Sequence, residues 1–112
     1  MALRIILRPF FKNMRKVKIT VIKQIVHEDL KEKYETANHS CELKLNQEFI
    51  SINGLMPVGF CESAWQNVAP YVFALANGAK DFFDGWMKNP NTAVISCNDG
   101  IRPASFLLEA FD

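Results

Sequence analysis

The sequence predicts a single α+β domain in which a small, mainly antiparallel sheet packs against one kinked helix. Three observations carry this expectation. Residues 16–26 alternate apolar and polar with many β-branched side chains, the period of a half-buried strand. Residues 62–76 change to steps of three and four, with Trp65, Val68, Val72 and Leu75/Ala76 recurring, the period of a buried helix face. Residues 92–97 and 101–111 read as two further strands around the turn cluster Asn98-Asp99-Gly100.

Taken in order, residues 1–13 are expected to be a basic arm or leader, dispensable to a domain spanning 14–112. Pro9 limits a helix there, no acid is present, and Met14 before Arg15-Lys16 resembles a second start. In the first strand Val17, Ile19, Val21 and Ile25 share one face, interrupted by Lys23, and lysines on the other face discourage unwanted edge pairing. Residues 28–35 open on two acids, as a helix dipole prefers, with Leu30 and Tyr34 four apart. Residues 36–45 are expected to be loop, carrying His39 and Cys41. Residues 48–52 form a short strand, ended by the turn dipeptide Asn53-Gly54. Pro70 interrupts the long helix, where a proline costs about 3 kcal/mol, so a kink or two consecutive helices are expected. Asn77-Gly78 is a natural C-terminal cap. Residues 80–91 are aromatic and irregular around Gly85, with Trp86-Met87 the part expected to be exposed.

Composition narrows the classes. Hydrophobic residues make up 49% and charged residues 22%, which rules out a wholly disordered chain. Seven basic residues and no acid occur up to Lys23, while the remainder holds six basic residues against twelve acids. A basic arm suits nucleic acid, an anionic membrane or the acidic body of a neighbouring subunit; a solvated tail is the plainer reading. Nucleic-acid binding is not expected, because the arm lacks interleaved aromatics or a helical pattern. Three cysteines, an odd number, argue against a secreted disulfide framework. No stretch approaches the roughly 20 apolar residues of a membrane span, and the opening residues are broken by arginines and Pro9, unlike a signal peptide. A cytoplasmic protein with free thiols is expected. Sheet edges and one open face make a homo-oligomer a further expectation.

The densest chemistry lies in Ser96-Cys97-Asn98-Asp99-Gly100-Ile101-Arg102-Pro103. With Asp99-Gly100 as a two-residue hairpin loop, Cys97 faces Arg102 across the ladder, and facing Cβ atoms lie about 5 Å apart. The guanidinium then reaches the sulfur, where a cation favours the nucleophilic thiolate, or holds a carboxylate or phosphate ligand bidentately. A register shift of one residue ends that argument. Plain turn architecture is the competing reading. The ligand-binding candidates are Cys97, Asp99, Arg102, Cys61 and Trp86; no catalytic residue and no cofactor is assigned. Cys41, Cys61, Cys97 and His39 form a weak alternative metal set, since no pair has zinc-knuckle spacing. Trp65, Tyr71, Phe73, Phe82, Phe83 and Trp86 are core material or the lining of an apolar pocket. Triads, phosphate-binding glycine loops and paired metal histidines are absent from the sequence.

With these residues set out, the chain resembles a family of short prokaryotic proteins without an established activity, many from anaerobes. The matching features are Val17-Lys18-Ile19-Thr20-Val21, Gly59-Phe60-Cys61 with Ala64-Trp65, Asp84-Gly85-Trp86, and above all Ser96-Cys97-Asn98-Asp99-Gly100-x-Arg102-Pro103 with Ser105-Phe106. The resemblance runs from about Met14 to Glu109. It implies that Cys61, Cys97, Asp99 and Arg102 are where function is to be sought. Relatives carry a glycine pair after the long helix, where this chain has Asn77-Gly78. Three functions are expected in order: a non-catalytic binding or accessory domain holding a small anion or partner group at the Cys97–Arg102 turn, a thiol-dependent redox or metal protein, and an interaction protein without a site.

Overall fold

A computed structural model describes residues 14–37 and 39–112; the expected basic arm, residues 1–13, lies outside them. The chain runs β1 (Lys16–Gln24), α1 (Glu28–Tyr34), β2 (Glu48–Ser51), α2 (Glu62–Ala76), α3 (Phe82–Gly85), β3 (Thr92–Ser96) and β4 (Ala104–Phe111). The four strands form one sheet in the order β2-β1-β4-β3, antiparallel throughout. This is the α+β architecture the periodicities indicate.

One face of the sheet is the core. Val17, Ile19 and Val21 of β1 and Phe106 and Leu108 of β4 are fully buried, together with Val68, Val72, Leu75 and Ala76 of α2. α2 therefore lies across β3, β4 and β1 and closes the second layer. It is one helix of 15 residues with Pro70 inside it, rather than two in succession. Pro70 sits on the exposed side, where water can serve the carbonyl that its missing N–H leaves free. The helix ends as expected. Gly78, at φ +91, donates its N–H to Leu75 O (3.1 Å), and the Ala79 N–H goes to Ala74 O (2.9 Å), the two bonds of a glycine-terminated helix end.

Asn53-Gly54 forms the turn after β2, both residues with positive φ (55 and 69). A Cβ added at Gly54 would stand 3.1 Å from the Phe73 ring, so a larger residue would have to push that exposed ring aside at a position that is also conformationally demanding. On the outer face Lys18 lies between Glu48 (3.9 Å) and Glu109 (3.8 Å) of the flanking strands.

Three boundaries differ from expectation for physical reasons. The β1–β4 register shifts between Val21 and Lys23, and such a bulge reverses the side-chain phase. Lys23 thus pairs with Ser105 on the outer face instead of interrupting the core, while Ile25 lies beyond the strand, 42% exposed. β4 starts at Ala104, not at residue 101, and β3 ends at Ser96. In α3, Phe83 and Asp84 have left-handed backbone (φ 58 and 56), which costs a non-glycine residue about 1–2 kcal/mol. The rings of Tyr71, Phe82, Phe83 and Trp86 pack in a chain with centroids 5.3–6.2 Å apart, which offsets part of that strain.

Candidate functional site

The sequence argument placed Cys97 opposite Arg102; the structure does not. Ser96 pairs with Ser105, and the Cys97 N–H donates to Ala104 O at 2.9 Å. Residues 98–103 form a six-residue loop in place of the two-residue turn. The cause is local. Asp99 Oδ1 accepts the N–H groups of Ile101 (2.8 Å) and Arg102 (3.0 Å), which removes those donors from the ladder, as aspartate side chains do in turns. Pro103 has no N–H to offer. Ladder pairing resumes only at Ala104.

The Ala104 N–H, at a buried residue, donates to Cys97 Sγ at 3.2 Å. The Cys97 carbonyl, which would ordinarily receive it, accepts the Ser96 hydroxyl at 2.8 Å. Cys61 has a comparable duty. It is the N-cap of α2, and its sulfur accepts the Ala64 N–H at 3.5 Å, the position where a side-chain acceptor satisfies an orphan donor.

Arg102 is spoken for. Its Nη1 lies 3.1 Å from Asp99 Oδ2, and its Nη2 pairs with Glu35 Oε2, with 13% of the arginine side chain and 9% of the glutamate exposed. The hydrogen bond from the guanidinium holds Glu35 below the usual carboxylate range, against the opposing effect of burial. Partial burial pushes Asp99 up, but the N–H groups of Arg102 and Ile101 and the guanidinium outweigh it and the carboxyl also lies low. Glu35 holds Arg102 more firmly charged than usual. Its other oxygen, Oε1, is buried with no hydrogen-bond partner among the described residues.

Around this loop is a cavity of about 390 Å³. Phe60, Leu43, Ala64, Ala104 and Phe106 supply its apolar wall, and Cys41, Cys61 and Cys97 all line it, with Ser63, Asn98, Asp99, Arg102 and Glu42 as polar groups. Local contacts hold the wall together. The Phe60 ring packs edge-on to Phe49 (5.0 Å) and beside Phe106 (5.3 Å). Ser63 Oγ donates to Asn98 Oδ1 at 2.8 Å, joining the start of α2 to the loop. Gln24 Nε2 donates to Leu43 O at 2.8 Å, which draws the Cys41–Leu43 segment against the end of β1. A second hollow of about 510 Å³ runs along α1, lined by residues of that helix and its exit alone, Glu28 to Ala37; it has no aromatic wall.

Of the sequence-selected residues, Cys61, Cys97, Asp99 and Arg102 meet at the cavity, and Cys41 joins them. Trp86 does not: it is 80% exposed and belongs to the Tyr71–Phe82–Phe83 ring chain, so the expected aromatic pocket is a separate cluster. His39 is exposed and does not line the cavity. Among the described residues no three His, Cys, Asp or Glu side chains are placed to hold a metal ion; the set Cys41, Cys61, Cys97 and His39 forms no such group. None of the three cysteines is in a disulfide. No helix among the described residues is long and apolar enough to cross a membrane. Glu35, Phe60 and Glu42 were not legible as site residues: Glu35 is 67 positions from the arginine it binds, and nothing local marks it. Comparison with family models, curated proteins and solved structures returns no match.

Proposed function

We propose that this protein is a non-catalytic small-molecule-binding domain whose ligand occupies the thiol-lined cavity between the start of α2, the loop before β2 and the β3–β4 loop. The observation that carries this reading is the cavity itself. Its volume of about 390 Å³ falls within the range of about 300–1,000 Å³ typical of ligand pockets, and its apolar wall with a few convergent polar groups is their usual chemistry. Its thiols come from three separate segments of the chain.

A small anion at Arg102 is the less favoured form of this function. Both guanidinium branches already hold carboxylates, so an anionic ligand has to displace one of them or remain beside them.

Thermal denaturation in the presence of a panel of small neutral and cationic compounds, aromatic, heterocyclic and sulfur-containing, tests the proposal. A ligand that binds only the folded state at a hundred times its Kd stabilises by about 2.7 kcal/mol. Ser63→Trp, at an exposed residue on the cavity's lip, plugs the opening; it gives up the hydrogen bond to Asn98 but alters no buried core side chain. Stabilisation of the parent and not of the Trp variant is expected. A panel that stabilises neither, or both equally, would overturn the assignment of the ligand to this cavity.

A further inference from the structure

The charges around the cavity carry the argument a step further. Asp99 and Glu42 line it, against one cation among the described residues, Arg102. That cation is already engaged by Asp99 and, behind it, by Glu35. Within the described lining two carboxylates therefore stand against one guanidinium, and Glu42 has no cation there to balance it. Glu35 and Lys31 line the separate hollow along α1 and do not enter this balance. A cleft with a net excess of one sign of charge and low-dielectric walls favours ligands of the other sign. The wall also presents sulfur from Cys41, Cys61 and Cys97, a nucleophile toward sulfur electrophiles.

Resting on the ligand-binding reading above, we propose that the cavity takes a small cationic disulfide, that of an aminothiol, and forms a mixed disulfide with it at Cys61 or Cys97. In the exchange the protein sulfur, as thiolate, attacks one sulfur of the ligand disulfide. The ligand's S–S bond breaks, a protein–ligand S–S bond forms, and the departing thiolate takes up the proton that the cysteine released. The protein thiol is oxidised and the ligand's second half is reduced. The oxidant is thus the ligand disulfide itself.

The test uses three disulfides of similar size: cystamine, which is dicationic, the neutral bis(2-hydroxyethyl) disulfide and the dianionic 3,3′-dithiodipropionate. Cys41→Ser protein isolates the two inner thiols. Adduct formation is followed by intact-mass spectrometry, assigned by peptide mapping, and normalised to each reagent's rate with a small neutral thiol. At about 10 mM salt, where the screening length is about 30 Å, cystamine is expected to lead the dianion by on the order of tenfold. The preference should shrink at about 1 M salt, and Glu42→Gln should reduce it. Equal normalised rates, or a faster dianion, overturn the charge selectivity while leaving ligand binding in the cavity to stand on the thermal-shift result. Failure of all three reagents to modify Cys61 or Cys97 in folded protein, when the urea-unfolded chain reacts, overturns the mixed-disulfide step, whatever the thermal shifts show.

Discussion

Removing the Cys97 sulfur tests whether it is a structural acceptor as well as a cavity-lining thiol. In the folded protein the Ala104 N–H points at Cys97 Sγ (3.2 Å), and the competing Cys97 carbonyl is already engaged by Ser96. Ala104 is 1% exposed, so water cannot replace a lost acceptor. Cys97→Ala leaves a buried donor unsatisfied, a loss of about 1–3 kcal/mol. For a domain of this length each kcal/mol lowers the Tm by roughly 4 °C, so the alanine variant should melt roughly 4–12 °C lower. Cys97→Ser keeps an acceptor at the same place and should stay within about 1 kcal/mol of the parent. Calorimetry or urea titration measures the difference, and amide hydrogen exchange localises it: the Ala104 amide should lose protection in the alanine variant and keep it in the serine variant. Equal stability of the two variants, or an Ala104 amide that stays protected without the sulfur, would refute the reasoning.

At the start of α2, Cys61→Ser should hold or raise stability while removing the thiol, whereas Cys61→Ala should cost about 1 kcal/mol as the Ala64 N–H loses its cap; urea midpoints for the pair decide it. Glu35 and Asp99 both titrate below their ordinary values. Their contribution to stability is therefore complete above those ordinary values of about 4.3 and 3.9 and disappears as pH falls through the lower folded-state values. Urea midpoints should accordingly decline below about pH 4, and Glu35→Gln should make that decline shallower; an unchanged acid limb counts against the ion-pair account. In the core, Leu75→Ala at a fully buried position should cost about 2–5 kcal/mol. Trp86→Ala, at a largely exposed one, should stay within about 1 kcal/mol and leave cavity ligands bound. A Trp86 variant that loses those ligands would bring the aromatic chain back into the site.

Much of the fold was legible because local periodicity records which face is buried. The alternation of Val17, Ile19 and Val21 and the spacing of Val68, Val72 and Leu75 identified strand and helix, and Asn53-Gly54 and Asn77-Gly78 identified where elements end. What escaped was whatever depends on hydrogen bonds that a linear pattern does not show. The bulge that moves Lys23 to the outer face looks, in the sequence, like a charge interrupting the core face. Asp99-Gly100 has the composition of a tight hairpin, but the Asp99 carboxylate competes for the Ile101 and Arg102 donors and lengthens the loop to six residues. The site was half legible. Cys61, Cys97, Asp99 and Arg102 stood out in sequence, and they do meet. The partner that neutralises Arg102 and the phenylalanines that wall the cavity come from distant segments, and only the folded chain brings them there.

In the folded chain the segments carrying Cys41, Cys61 and Cys97 border one ligand-sized space. Chemical-shift mapping of the ¹⁵N-labelled protein tests it most directly, using whichever compound gives the largest thermal stabilisation. The amides of Glu42, Cys61, Ala64, Cys97 and Ala104 should shift together along one saturation curve. Shifts confined to a single one of these segments, or centred on residues 82–87, would contradict it.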